Sequence, residues 1–145
     1  MNKKNFKIKI FVLDDDRYYG LFLKNALEND QYSIDYFQNE KECIQHLKIL
    51  PEILILDHRL ENTTGLDILD EVNRQCKGKT QVIYLSAQEY VHVAVKALKE
   101  GAIIYLEKSG EAVQAINNAI SQVVKLTNNF NNKLDLKEFR KNSLG

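Results

Sequence analysis

Short apolar runs alternate with amphipathic stretches along most of the 145-residue chain, and this alternation is the feature that most restricts its fold. The run ILIL at 53–56 is apolar at every position, which is typical of a parallel strand buried on both faces. The same reasoning predicts strands at 7–13, 32–37, 53–56, 81–85 and 103–106. Apolar residues at helical spacing predict helices at 17–29, 39–50, 65–75, 89–100 and 111–126.

This (βα)5 order indicates an α/β fold with a parallel sheet and helices on both of its faces. Among doubly wound folds we expect the flavodoxin-like one, with five parallel strands in the order 2-1-3-4-5. Residues 7–126 would form one domain, since a chain of this length buries about two-thirds of its unfolded surface. Residues 127–145 break the pattern, because TNNFNNK predicts a polar loop, and the rest would be a tail, a linker or a short docking helix.

Charge and cysteine content narrow the classes of function. Twenty Lys and Arg residues balance 20 Asp and Glu residues, so we expect no direct nucleic acid binding by this segment and no attraction to an anionic membrane. Cys43 and Cys76 lie far apart and outside any CxxC motif, which favours reduced thiols. The sequence shows no signal peptide and no apolar run near the roughly 18 residues of a membrane span, so we expect a cytoplasmic protein.

Chemically active side chains follow the carboxyl ends of the predicted strands, which is where doubly wound sheets place their sites. They are Asp14, Asp15 and Asp16 after the first strand, Asp57 after the third, Ser86 after the fourth and Lys108 after the fifth. The first and third strands are neighbours in the expected order. Three of the carboxylates, those of Asp14, Asp15 and Asp57, would therefore crowd together.

Crowded carboxylates raise one another's pKa unless a cation lies between them. A hard divalent ion is the usual partner, and Mg²⁺ suits a site with few protein ligands and several waters. The ammonium of Lys108 would pair with a carboxylate or a phosphoryl oxygen, and the hydroxyl of Ser86 would donate to the same oxygen. Any one of these residues alone is more often a cap or a solvated charge. Together they suit phosphoryl transfer to an aspartate, because they meet the developing charge from three sides.

Over 7–126 the sequence resembles the receiver domain of bacterial response regulators. FVLDDD resembles the acidic motif of the first strand, with Asp14 and Asp15 as the metal-site pair. ILILDHRLENTTGLDIL resembles the phosphoacceptor segment, with Asp57 as the residue that is phosphorylated. The resemblance also implies that the backbone carbonyl of Arg59 completes the metal site.

Two further motifs carry the resemblance. VIYLSAQ resembles the fourth-strand motif, with Ser86 as the hydroxyl that turns toward the phosphoryl group. GAIIYLEK resembles the fifth-strand motif, with Lys108 as the phosphate-binding lysine and Tyr105 as the aromatic switch. Glu61 and Ser109 stand where the family usually has proline, which leaves the geometry of the Lys108–Ser109 peptide bond open.

The resemblance implies a two-component signalling protein that takes a phosphoryl group from a sensor histidine kinase or a phosphotransfer protein. The face formed by the fourth helix, fifth strand and fifth helix would then change, to control a partner or an output domain or to form a homodimer. Beyond phosphotransfer to Asp57 and autodephosphorylation, no enzymatic activity is expected. The fourth helix has more apolar residues than one buried stripe needs, which predicts exposed apolar surface there.

Two alternatives stay open from the residues themselves. Asp14-x-Asp16 after a strand, Ser86 after another strand and a later lysine also resemble a haloacid-dehalogenase-type phosphatase, with Asp14 as nucleophile and Asp16 as general acid. In that family Thr or Val is expected where Tyr18 stands, and Asp57 would have no role. The second alternative is a receiver-like interaction module that does not accept phosphate.

Overall fold

Strands and helices alternate through the described part of the chain, which the computed structural model gives as residues 6–88 and 90–130. The strands are β1 (Ile8–Leu13), β2 (Tyr32–Phe37), β3 (Ile53–Asp57), β4 (Gln81–Ser86) and β5 (Ile104–Glu107). The helices are α1 (Arg17–Leu27), α2 (Glu40–His46), α3 (Gly65–Cys76), α4 (Val91–Lys99) and α5 (Ala112–Phe130). These elements confirm the predicted (βα)5 order.

The five strands form one parallel sheet in the order β2-β1-β3-β4-β5, which confirms the predicted flavodoxin-like topology. Every residue of β3 and β4 is buried, because helices cover both faces of the central strands. In the register of β1 with β3, Leu13 lies opposite Leu56. Asp14 follows Leu13 and Asp57 follows Leu56, so the two aspartates lie side by side at the point of the sheet where the strand order reverses.

Successive residues of each strand face two hydrophobic cores, one on either side of the sheet. In β1, Phe11 and Leu13 belong to one core, whereas Ile10 and Val12 belong to the other. Helices α2, α3 and α4 cover the first core, and α1 and α5 cover the second. Within the described residues, no helix is both long and apolar enough to cross a membrane.

Local capping residues set where several helices begin and end. The carboxylate of Asp16 accepts hydrogen bonds from the backbone N–H groups of Tyr18 and Tyr19, so Asp16 is the N-cap of α1. Gly101 lies just after α4 with a φ of 116°, a conformation that favours glycine. The predicted first residue of that helix, Glu89, lies outside the described residues.

Helix α2 ends four residues earlier than predicted. A short 3₁₀ turn at Leu47–Ile49 follows it, and Leu50 then adopts a left-handed conformation with a φ of 60°. Pro51 explains the stop, because a proline disfavours helical geometry in the residue before it.

Helix α5 extends beyond its predicted end, so the loop predicted from Thr127 is wrong for its first four residues. The helix continues to Phe130, and the hydroxyl of Thr127 donates to the carbonyl of Val123 at 2.9 Å. This hydrogen bond joins residues that are one helical turn apart, so the hydroxyl of Thr127 has a partner within the helix. The remainder of the predicted tail or linker, 131–145, lies outside the described residues.

Two side chains from the end of α1, that of Lys24 and that of the C-cap residue Glu28, cover the outer edge of β2 at Ile34. Lys24 Nζ donates to the carbonyl of Ile34 at 2.6 Å, and the N–H of Ile34 donates to Glu28 Oε2 at 3.3 Å. Lys24 and Glu28 also form an ion pair of 3.0 Å. An edge strand usually offers such backbone groups to another chain, but both groups of Ile34 are already bonded.

We expect the two thiols to be inert in the folded protein. Cys43 and Cys76 are free and buried, and burial raises the pKa of the Cys43 thiol to about 12. Because the thiolate is the reactive form, Ellman's reagent should modify both residues rapidly only after unfolding. A time course with native and guanidinium-unfolded protein checks this, and rapid modification of the native protein would contradict the packing of α2 against α3.

Candidate functional site

Four charged side chains converge where β1, β3 and β5 end. Lys108 Nζ lies 2.8 Å from Oδ2 of Asp14 and 3.1 Å from Oδ1 of Asp57. Asp14, Asp15 and Asp57 each offer a carboxylate oxygen that lies within 4.8 Å of the other two. The structure therefore brings together the four residues whose convergence the sequence predicted, and we refer to the three carboxylates as the acidic cluster.

Burial dominates the electrostatics of this cluster. Burial and the charge of Asp14 raise the pKa of Asp57 to about 7, although Lys108 opposes the shift. Burial also raises the pKa of Asp14, against the hydrogen bond and charge of Lys108. For Lys108 itself, burial acts to lower the pKa, but the hydrogen bond and charge of Asp14 outweigh it and raise that pKa. When all three of its carboxyls are ionised, the acidic cluster has more negative charge than one ammonium balances.

The acidic cluster fits a hard divalent cation. Carboxylate oxygens are ligands that Mg²⁺ prefers, and the three oxygens are close enough to one another to surround a single ion. Beside them is a cavity of about 240 Å³, which Asp15, Asp57, Arg59, Ser86 and Lys108 help to line. The role of the Arg59 carbonyl as a further ligand stays a prediction.

Gly65, the first residue of α3, permits the close packing around Asp57. A Cβ at Gly65 would lie 2.6 Å from the backbone oxygen of Asp57 and 2.7 Å from the hydroxyl of Tyr84. The N–H of Gly65 donates to the carbonyl of His58 at 2.7 Å. This bond folds the segment after β3 back onto the strand, so a side chain at position 65 would displace Asp57.

The backbone of Asp14 is fixed from β2 by two hydrogen bonds that the sequence analysis did not foresee. Its N–H donates to the carbonyl of Phe37 at 3.1 Å, and the hydroxyl of Tyr36 donates to its carbonyl at 2.7 Å. A Cβ on Gly20 would overlap the ring of Tyr36, because it would lie 2.0 Å from Cε1 of that ring. An isolated glycine inside a helix was the available signal, because such a glycine usually has a packing reason.

The two predicted switch residues share one hydrogen-bond acceptor. Ser86 Oγ donates to the carbonyl of Gln88 at 2.8 Å, and the hydroxyl of Tyr105 donates to the same carbonyl at 3.1 Å. The ring of Tyr105 is stacked on that of Tyr84, with centroids 5.9 Å apart and an interplanar angle of 17°. Ser86 lines the cavity beside Asp57, but its hydroxyl donates to the carbonyl of Gln88 and not to Asp57.

Lys108 is fixed by its backbone and by an aromatic ring. Its N–H donates to the carbonyl of Ser86 at 2.7 Å, which extends the pairing of β4 with β5. The described residues contain no cis peptide bond, so the Lys108–Ser109 bond is trans. Lys108 Nζ also lies over the ring of Tyr19, 4.4 Å from its centroid. The sequence analysis missed Tyr19, because no motif marks this contact between α1 and the residue after β5.

Comparisons with known proteins agree with this geometry. A family model described as the response regulator receiver domain matches residues 10–121. The chain belongs to this family. Its match covers the acidic cluster, Ser86, Tyr105 and Lys108, which are the residues that carried the resemblance in the sequence.

Curated relatives are regulatory proteins that are longer than this chain. The regulatory protein LuxO of Vibrio cholerae is 34% identical over 86 residues, which are 57% of this chain and 19% of LuxO. The DNA-binding transcriptional regulator NtrC of Escherichia coli K12 is 31% identical over 116 residues, 77% of this chain and 24% of NtrC. The acid tolerance regulatory protein ActR of Rhizobium meliloti is 29% identical over 104 residues, 71% of this chain and 53% of ActR. The chain thus spans 19% to 53% of the length of these relatives.

Solved receiver domains share the fold. The response regulator domain of Thermotoga maritima CheB is 20% identical and superposes with a TM-score of 0.71, covering 85% of this chain and 98% of that one. The beryllofluoride-activated NtrC4 receiver domain dimer is 27% identical, with a TM-score of 0.69 and coverage of 79% and 98%.

The phosphatase alternative is not favoured. In that interpretation Asp16 would be a general acid, but its Oδ1 accepts hydrogen bonds from the N–H groups of Tyr18 at 3.0 Å and Tyr19 at 3.2 Å. Asp16 therefore caps α1. Asp57, which would have no role in a phosphatase, belongs to the acidic cluster instead.

The substitution Gly20→Ala tests the support of Asp14. Replacing a helical glycine by alanine usually stabilises a protein by about 0.5–1 kcal/mol. Here the new Cβ would overlap the ring of Tyr36, so we expect a loss of about 1–3 kcal/mol in the free energy of unfolding, measured with urea. In a Tyr36→Ala background the same substitution should be neutral or stabilising, and an equal loss in both backgrounds would contradict the contact.

Proposed function

We propose that this receiver domain takes a phosphoryl group onto Asp57 from a sensor histidine kinase or a phosphotransfer protein. The convergence of Asp14, Asp15, Asp57 and Lys108 at one edge of the sheet, in a member of the receiver family, is the observation that carries the proposal. The domain would act in the cytoplasm as a phosphorylated signalling protein. It would have no catalytic turnover beyond its own phosphorylation and autodephosphorylation.

Asp57 is the best-placed nucleophile of the acidic cluster. It lines the cavity that a donor would enter and also pairs with Lys108 at 3.1 Å. Asp14 pairs with Lys108 but does not line the cavity, and Asp15 lines the cavity but is not among the ion-pair partners of Lys108 within the described residues. A carboxylate oxygen of Asp57 would form a bond to phosphorus while the bond from phosphorus to the donor nitrogen breaks, and the leaving imidazole keeps that electron pair and takes a proton from water. The ammonium of Lys108 would pair with a phosphoryl oxygen and offset its developing charge. Water would later break the acyl phosphate.

The residues that would hold Mg²⁺ are Asp14, Asp15 and Asp57, together with the backbone carbonyl of Arg59. The mutual distances of the three carboxylate oxygens and the excess negative charge of the acidic cluster support this assignment. When bound, the ion would offset the repulsion among the carboxylates and the charge of the transferred phosphoryl group.

The hydrogen bonds of Gln88 suggest how phosphorylation would be transmitted. A phosphoryl group adds about 1.5–2 negative charges and three acceptor oxygens. Ser86 would turn from the Gln88 carbonyl to one of these oxygens, and Tyr105, which shares that carbonyl, would settle into the space left behind Ser86. Phosphorylation would thereby favour one of two existing arrangements of the face formed by α4, β5 and α5.

That face also has the exposed apolar surface expected of a partner site. Val91 is 71% exposed and Val95 is 41% exposed, which confirms the prediction that α4 has more apolar residues than it buries. The NtrC4 receiver was solved as a dimer, and a homodimer through α4, β5 and α5 is the analogous proposal here. A partner protein or an output domain would be the other occupant.

Intact mass spectrometry with acetyl phosphate and Mg²⁺ tests the proposed acceptor. We expect the wild type to gain the mass of one phosphoryl group and Asp57→Asn to gain none. Asp70→Asn, which changes an exposed aspartate on α3, is the matched control and should behave as the wild type. A wild type that gains nothing would instead support the interaction module. Repeated hydrolysis of a generic phosphomonoester would support the phosphatase.

Thermal unfolding tests the metal assignment separately. At about pH 8 the Asp57 carboxyl is ionised despite its raised pKa, and Mg²⁺ at 100 times its dissociation constant should add about 2.7 kcal/mol of stability. Asp15→Asn should lose most of that gain, because one of the three carboxylate ligands is gone. Asp70→Asn should keep the full gain, and an undiminished gain in Asp15→Asn would contradict the assignment.

A further inference from the structure

The ammonium of Lys108 has partners of two kinds among the described residues. Two are the carboxylates of Asp14 and Asp57, at 2.8 Å and 3.1 Å. The third is the ring of Tyr19, whose centroid lies 4.4 Å from Nζ. This distance is well inside the roughly 6 Å over which an aromatic face attracts a cation. The side chain of Lys108 is 13% exposed, so water screens this attraction little.

The first turn of α1 fixes the position of Tyr19. Its N–H donates to the capping carboxylate of Asp16 at 3.2 Å, and its side chain packs against the core that α1 and α5 cover. The ring also contacts Phe22 one turn later, with centroids 5.9 Å apart. Capping by Asp16 and packing against this core therefore place an aromatic face beside Lys108, and Asp14 contributes only through the hydrogen bond that its Oδ1 accepts from the N–H of Asp16 at 2.9 Å.

The hydroxyl of Tyr19 does not explain why a tyrosine is present at position 19. This hydroxyl is buried and has no hydrogen-bond partner within 6–88 and 90–130. A buried hydroxyl without a partner lowers stability, so hydrogen bonding does not explain the residue. The ring is the part of Tyr19 that contacts a charged group, and a phenylalanine would keep it.

We infer that Tyr19 is a positioning residue that keeps the Lys108 ammonium beside Asp57 when the carboxylates bind a cation or when Asp57 is phosphorylated. The inference rests on the proposed function. A cation bound to the acidic cluster would share the oxygens of Asp14 and Asp57 and would repel the ammonium. A phosphoryl group on Asp57 would consume one of those oxygens.

Neither the binding of a cation nor the phosphorylation of Asp57 would change the ring of Tyr19. It is uncharged and lies outside the acidic cluster, so its attraction for Lys108 persists in each state of the site. Loss of the ring should therefore slow phosphorylation more than it weakens the fold.

The rate of phosphoryl gain from acetyl phosphate, followed by intact mass with Mg²⁺ present, tests the inference. Tyr19→Leu should be about 3- to 30-fold slower than the wild type, the range expected for a cation–π contact. Tyr19→Phe, which retains the ring, should stay within about twofold of the wild type. Tyr18→Leu changes an 88% exposed neighbour on the same helix and should leave the rate unchanged. Equal rates for Tyr19→Leu and Tyr19→Phe would overturn the inference.

Phenylalanines with increasing fluorination at position 19 separate charge attraction from packing. Fluorine withdraws charge from the ring face but changes its shape little, so the rate should fall stepwise while the melting temperature stays constant. This series stays informative even if Tyr19→Leu folds poorly. A rate that is independent of fluorination would overturn the inference.

Nuclear magnetic resonance tests the contact without any phosphoryl transfer. Protons over an aromatic face resonate upfield, so the ε-methylene signals of Lys108 should move downfield in Tyr19→Leu and stay in place in Tyr19→Phe. If the wild type is never phosphorylated, the proposed function fails, and with it the role of Tyr19 in transfer. If the wild type is phosphorylated but these signals do not move, the inference about Tyr19 fails alone.

Discussion

The parallel register of β1 with β3 is the constraint on which the site depends. Leu13 lies opposite Leu56, so Asp14 and Asp57 leave the sheet side by side. A shift of one residue would turn the side chains of a strand to the other face and would separate the two carboxylates. The buried apolar residues of β1 and β3 fix this register, and the hydrophobic cores thus provide the free energy that keeps like charges together.

Three of the four charged groups of the site are supported by neutral ones. Tyr36 fixes the backbone of Asp14, the bare Cα of Gly65 lets the segment after Asp57 pack closely, and the ring of Tyr19 lies beside Lys108. Neutral supports suit a centre whose charge would change with each signalling cycle. They do not form ion pairs with the carboxylates or with the ammonium that would take part in phosphoryl transfer.

The fold and the charged residues of the site could be predicted from sequence because both depend on local patterns. Alternating apolar runs indicated the (βα)5 order, for which the flavodoxin-like strand order was chosen among doubly wound folds, and strand ends indicated Asp14, Asp57 and Lys108. The supports could not be predicted, because they are contacts between elements that only packing defines. Tyr18 and Tyr19 illustrate the limit, since these adjacent tyrosines of α1 differ in burial: Tyr18 is 88% exposed, whereas Tyr19 turns inward. The end of α5 was missed because an Asn-rich composition disfavours a helix, whereas the helix continues through these residues to Phe130.

The bonded edge of β2 has a consequence for how copies of this domain can meet. Lys24 and Glu28 occupy both outward backbone groups of Ile34, so a second sheet cannot continue the ladder at that residue. A second strand that added to β2 there would first have to break the bonds of Ile34 to Lys24 and Glu28, which disfavours open-ended growth of the sheet from this edge. Any contact between two copies at β2 would therefore have to use side chains rather than the backbone of Ile34.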